Sequence, residues 1–179
     1  MNAWGTQSVI EASIDAGVPR LVLSSSSSVY GNQVNRRPSR ESDQLFPTCP
    51  YAASKVVAEA ITTPYAGNIS LSAARLFTVY VPNQRPGVFI QNVIDAAQKG
   101  REVVLYGDAS TRRDFTHVDD IIAALHMLIT PEGRLEGPVN VESGRPVTLS
   151  EILDLVQDIM GVSTGVSVGP EHRGDVNDT

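Results

Sequence analysis

An α/β fold is predicted for this 179-residue chain from three observations. Helical and strand-like segments alternate along nearly its whole length. The apolar run Arg20-Leu-Val-Leu23, bounded by Pro19, has the length and flanks of a buried parallel strand. That run ends in small hydroxyl residues, Ser24 to Ser28, at the carboxyl end of a strand, where open α/β sheets bind ligands.

In order, the pattern gives a helix near 2–16, the strand near 20–25, and a stretch 31–49 rich in Pro, Arg, Asn and Ser that reads as a long loop able to cover a site. A helix near 50–66 and a strand near 69–77 follow, then a helix near 87–99 and short strands near 103–106 and 112–116. A helix near 118–129 opens with Asp119 and Asp120, carboxylates that favour or cap a helix start and are not joined by the His and Cys a metal site needs. His117 and His126 are too far apart for a compact helical pair and read as structural. Strands near 138–141 and 146–148 and a helix near 149–160 complete the series.

Composition narrows the function. With 41% hydrophobic and 19% charged residues the chain is an ordinary globular unit, large enough for a sizeable core. A net charge of −6 and a pI near 5.0 leave no electrostatic footprint for nucleic acid, although a local basic pocket for a diphosphate fits within that balance. One cysteine, Cys49, allows no internal disulfide, and no apolar run approaches the roughly 18 residues of a membrane span. The expectation is a cytoplasmic protein with neither membrane nor nucleic-acid partner, in which Cys49 is structural.

Tyr51-Ala-Ala-Ser-Lys55 places a phenol and an ammonium on one helix face, four residues apart. A neighbouring Lys⁺ favours the phenolate, and a Ser hydroxyl beside it would complete a proton-handling group for a sugar or alcohol hydroxyl. The same spacing also fits a packed ring beside a solvated charge, so the motif is read with its context.

Leu23-Ser-Ser-Ser-Ser-Ser-Val-Tyr-Gly31, Pro50-Tyr-Ala-Ala-Ser-Lys55, Arg75-Leu-Phe-Thr-Val-Tyr80, Tyr106-Gly-Asp108 and Arg113-Asp-Phe-Thr-His-Val-Asp-Asp120 occur in that order. Together they resemble the extended short-chain dehydrogenase/reductase family, in its NAD-dependent nucleotide-sugar epimerase/dehydratase group. The resemblance implies part of a Rossmann-like, doubly wound parallel sheet with part of the smaller substrate-binding region. Residues 1–80 would be the catalytic half of the core, and 81–179 mostly the substrate-binding portion with returning core elements.

The resemblance also implies roles. Tyr51 would be the acid/base, Lys55 would bind the nicotinamide ribose of NAD and tune the phenol, and Ser26 would be the catalytic serine. Ser24 and Ser25 would line the strand end toward the cofactor, or simply bond there, with Ser27 and Ser28 toward the substrate. Phe77 would approach the cofactor and Thr78 the nucleotide sugar. Leu105 and Tyr106 would flank the base, Arg113 would grip the diphosphate, Arg112 would be solvated, and Arg173, beside His172, would be a second phosphate ligand. Val81 stands where the family has Gly, a position whose backbone a β-branched residue suits poorly.

Relatives that eliminate water resemble one another in an Asp-Glu pair where this chain has Ser27 and Ser28, which points to epimerisation. Thr78 with Asn83-Gln-Arg-Pro86 looks most like UDP-glucuronate and UDP-hexose 4-epimerases. No Gly-x-x-Gly-x-x-Gly follows a strand, and no acidic ribose ligand follows such a turn. The expectation is therefore a fragment with an exposed edge on the 20–25 strand, forming a homodimer through the helices near 2–16 and 50–66 or pairing with an amino-terminal half. Two other readings remain: a non-catalytic fragment that only associates, and a reductase or decarboxylase of the same family.

Overall fold

The computed structural model describes residues 2–32, 37–106, 109–130 and 137–169. In chain order they form α1 (Asn2–Asp15), β1 (Arg20–Ser26), α2 (Pro50–Thr62), β2 (Ser70–Leu76), β3 (Thr78–Tyr80), α3 (Phe89–Lys99), β4 (Val103–Tyr106), β5 (Arg112–Arg113) and β6 (Phe115–His117). Then come α4 (Val118–Ile129), β7 (Pro138–Val141), β8 (Val147–Thr148), α5 (Leu149–Met160) and β9 (Val166–Gly169).

The central sheet has the order β1-β2-β7 and is parallel throughout, with Arg20 opposite Ser70 and Ala73 opposite Pro138. β2 is the middle strand, and five successive residues, Leu71 to Arg75, are buried, as a strand covered on both faces requires. Leu21 and Leu71 pack with Ile10, Ile14 and Ile61 from α1 and α2. Val22, Ala74 and Leu76 pack with Ile121, Leu125 and Leu128 of α4 and with Val141. This alternation puts helices on both faces of a parallel sheet, the Rossmann-like arrangement the motifs imply. Among the described residues β1 has one strand neighbour, β2.

A second core joins α3, α5 and β4 through Val93, Ala96, Val103, Leu105 and Leu153. Its helices have defined ends. α3 stops at Gly100 in the left-handed conformation, and α5 starts with a reciprocal capping box between Thr148 and Glu151.

Several boundaries differ from expectation. α2 ends at Thr62 because Pro64 cannot donate to the helix ladder, and a 3-10 turn, Thr63–Tyr65, takes its place. The serine run leaves the strand at Ser26, which caps a 3-10 helix, Ser27–Tyr30. The expected 69–77 strand ends at Leu76, and β3 pairs instead with β6. The expected 112–116 strand divides at Asp114: β5 runs antiparallel to β8, and β6 parallel to β3. Parallel to β4 lies β9, which the sequence reading did not foresee.

Residues 37–46, read as a covering loop, are tied down. Arg37 forks onto Asp43 at 2.9 and 2.7 Å, and the Arg40 amide donates to the same carboxylate at 2.8 Å. These bonds, Arg37 foremost, hold the Asp43 carboxyl at about 2. The Phe46 amide donates to the Val29 carbonyl at 3.0 Å. No described helix is long and apolar enough to cross a membrane.

Candidate functional site

Pro50 at the first turn and the Cys49 cap, whose Sγ accepts from the Ala52 amide at 3.5 Å, start α2 so that Tyr51 lies at its amino end. The Tyr51 side chain is 53% exposed and open to a ligand. Lys55, one turn on, holds its Nζ 5.8 Å from the Tyr51 ring centroid and donates to the Ser24 carbonyl at 2.7 Å. The helix motif is thus fastened to the end of β1. Ser26 and Ser28 form a hydroxyl pair at 2.6 Å, with the Ser28 amide donating to Ser26 Oγ at 3.3 Å. Ser27 between them is buried.

Ser25 departs from the expected cofactor-facing role. It is buried, and its hydroxyl donates to Glu59 of α2, which is the strand-end bonding alternative. The Phe77 ring is buried with Val29 and Tyr30, against Leu45 and Val56. A side chain so placed supports the loop and α2 from within.

Two cavities bear on the predicted site residues, and Lys55 and Ser24 line the second of them. One, of about 280 Å³, is lined by Thr78, Tyr80, Gln84, Asn92, Tyr106 and Arg113 among others. Leu105 does not belong to it. Successive strand residues point to opposite faces, so Leu105 enters the core with Val93 and Leu153 while Val104 and Tyr106 line the cavity. Period-two alternation from Tyr106 would have found Val104, and Gln84 lies within the Asn83-Gln-Arg-Pro86 segment already noted; Asn92 carried no sequence signal that singled it out. Tyr80 is steadied from behind by an edge-on contact with His117, centroids 5.1 Å apart. His117 also caps α4, accepting from the Asp119 amide at 3.3 Å, which bears out its structural reading. Arg112, expected in solvent, is exposed but donates to the Pro146 carbonyl at 2.8 Å. Arg173 lies outside the described residues.

The second cavity, of about 410 Å³, runs beside β1 and is lined by Leu21 to Ser24, Lys55, Asn2, Thr6 and neighbouring α1 residues. Lys55 and Ser24 thus share one cavity. The sequence provides no glycine-rich turn to receive the pyrophosphate of a dinucleotide.

Asp114 is the buried anchor beneath Arg113. Its carboxylate accepts from the Thr116 hydroxyl at 2.8 Å, the Ser143 amide and hydroxyl at 2.8 and 2.9 Å, and the Arg145 amide at 3.0 Å. This fastens the 143–145 turn to the strand that carries Arg113. Next to that turn Glu142 is exposed overall, yet partial desolvation of its carboxyl by the surrounding chain, helped by the charges of Asp114 and Glu41, pushes that carboxyl up.

Comparison with known proteins identifies the family and the fold. The family model described as "NAD dependent epimerase/dehydratase family" matches residues 1–141. A UDP-glucuronate 4-epimerase of Thermodesulfobacterium geofontis is 31% identical over 182 aligned positions, covering 99% of this chain and 55% of that protein. The solved structure of MoeE5 in complex with UDP-glucuronic acid and NAD superposes with a TM-score of 0.92 at 36% identity, covering 99% of this chain and 60% of that one. UDP-glucuronic acid 4-epimerase from Bacillus cereus, in complex with UDP-glucuronic acid and NAD, gives 0.92 at 26% identity, with 99% and 57% covered. The chain spans little more than half the length of these relatives.

Proposed function

The chain belongs to the NAD dependent epimerase/dehydratase family, and from that premise we propose that it carries the proton-handling and sugar-nucleotide portion of a 4-epimerase acting on a UDP-hexose or UDP-hexuronate. One observation carries the reading: Thr78, Tyr106 and Arg113, picked from three separate motifs, line a single cavity. An aromatic wall for a base and a guanidinium for a diphosphate are what a nucleotide sugar requires. Residues 1–80 supply the acid/base portion and 81–179 most of the substrate-binding portion.

Lys55 and Ser24 would hold the ribose side of a bound NAD, whose nicotinamide would supply reversible hydride exchange at the sugar carbon. Tyr51 receives the proton of the sugar hydroxyl and gives it back, and Ser26, paired with Ser28, orients that hydroxyl. Lys55 holds the ribose side and supplies positive charge beside the phenol. Ser27 and Ser28 offer no carboxylate for elimination of water, so the reading is epimerisation and not dehydration. Val81, 39% exposed, directly follows β3 and does not take the positive φ that would strain a β-branched residue.

The protein is proposed to associate through α1 and α2, where Trp4, Val9 and Val57 are exposed, and to act in the cytoplasm. Taken alone, the 179 residues are expected to show no measurable NAD binding by titration calorimetry, because no backbone turn receives the pyrophosphate. Micromolar affinity would show that another segment replaces it.

Arg113→Ala tests the substrate assignment in an enzyme that joins this chain to a glycine-rich NAD-binding half. Substrate affinity should fall by roughly 1.5–3 kcal/mol, the scale of a hydrogen bond to charge, with kcat nearly kept. UDP-glucose and UDP-glucuronate 4-epimerisation are the assays. An unchanged KM for both would remove Arg113 from the diphosphate site and the cavity from the proposal.

A further inference from the structure

Tyr51, Lys55 and Glu59 follow one another at intervals of four along α2 and so share one side of the helix. The first two face the ligand region, whereas Glu59 turns inward. There its carboxylate meets Arg75 of β2 twice, Nη2 to Oε2 at 2.7 Å and Nε to Oε1 at 3.1 Å, and accepts from the Ser25 hydroxyl of β1. Arg75 is 3% exposed, and its remaining donors reach the Tyr30 hydroxyl at 2.8 Å and the Glu41 carbonyl at 3.1 Å. Tyr30 in turn donates to Asn140 of β7 at 2.6 Å, and Asn140 donates from its side chain to the Ser39 carbonyl at 2.9 Å and from its amide to Glu41 at 2.9 Å.

A buried ion pair is a poor source of stability, since removing two charges from water largely cancels their attraction. What this pair does provide is geometry. Two successive residues of β1 are joined to two successive turns of α2: the Ser24 carbonyl to Lys55, and the Ser25 hydroxyl to Glu59. Arg75 holds the second joint from below with a two-pronged contact that a Lys cannot reproduce. The same guanidinium grips the 39–41 segment. A rotation of α2 about its axis, which would carry Lys55 and the turn bearing Tyr51 away from the end of β1, breaks these bonds together.

We infer that Glu59 and Arg75 are positioning residues that set the angle at which α2 presents Tyr51 and Lys55 to the serine end of β1, and that they couple this angle to the 39–46 segment. The inference rests on the proposed role of Tyr51 for its functional meaning, but its structural content is separately testable. Cys49, the single thiol of the chain, caps α2 beside Tyr51 and is partly buried. Its rate of reaction with a disulfide reagent reports the setting of the helix start.

Glu59→Gln, Arg75→Met, Arg75→Lys and the milder Ser25→Ala are compared with the parent chain for Cys49 labelling without denaturant, and for urea stability. After correction for global unfolding, Glu59→Gln and Arg75→Met should label about tenfold faster, as a local opening made easier by about 1.4 kcal/mol would give. Arg75→Lys should not rescue, and the Glu59→Gln/Arg75→Met double variant should match the singles because both remove one tie. If the stronger variants fail to fold, Ser25→Ala decides by the same correction. In the assembled epimerase, kcat should fall while the KM for nucleotide sugar holds. Labelling that follows global stability alone, or full rescue by Arg75→Lys, overturns the inference. Faster labelling in an enzyme whose Tyr51→Phe variant keeps full turnover would leave the positioning intact and refute the Tyr51 assignment instead.

Discussion

Tyr51→Phe is expected to lower kcat by about 10²–10⁴-fold, the usual scale for a lost proton-transfer group, with little change in nucleotide-sugar affinity. The ring remains, the half-exposed site tolerates the loss of one oxygen, and the Lys55–Ser24 tie that fixes α2 does not involve the phenol. The effect therefore falls on chemistry and not on folding. Steady-state 4-epimerisation of UDP-glucose and UDP-glucuronate, with the chain joined to an NAD-binding half, measures it. Undiminished turnover would remove Tyr51 from the reaction, whatever motif surrounds it.

The second large effect is on stability. Gly31 has φ 63° and ψ −154°, and a Cβ built on it would lie 1.9 Å from the Phe46 carbonyl oxygen. Gly31→Ala combines a backbone conformation that side chains avoid with a collision against main chain, and should cost roughly 2–5 kcal/mol. Gly100→Ala is the control: φ there is also positive, at 59°, but nothing lies within 4 Å, so only the conformational part remains. Urea unfolding of both variants separates the two contributions. Equal losses would mean that the 46 carbonyl gives way freely, contrary to the close packing seen here.

Which parts of this arrangement were legible follows from what kind of information each residue carries. Tyr51, Lys55 and Ser26 stand in local patterns, and local patterns survive in sequence. Helix α4 was bounded correctly at Val118 and Ile129 because its amphipathic run is uninterrupted. Ser25 could be read either toward the cofactor or as a strand-end hydrogen-bonding residue, and what its side chain and that of Phe77 touch depends on partners far away in sequence, Glu59 and the Val29–Tyr30 cluster. Leu105 was misplaced by one residue of strand alternation, which suffices to exchange cavity for core. β9 pairs with a strand more than sixty residues earlier, and no short-range signal announces such a partner.

The parallel register of the central sheet has a consequence for biosynthesis. β2 finds its first neighbour, β1, among residues already made, but its other edge waits for Val141. On a ribosome adding about 5–20 residues per second, the roughly 65 residues from Leu76 to Val141 take about 3–13 s. Throughout that interval a strand that is buried over five successive residues in the finished fold presents an unpaired edge, and parallel pairing across so long a separation is slow to form. Chaperone occupancy during translation should accordingly peak after β2 emerges and fall once β7 has cleared the exit tunnel.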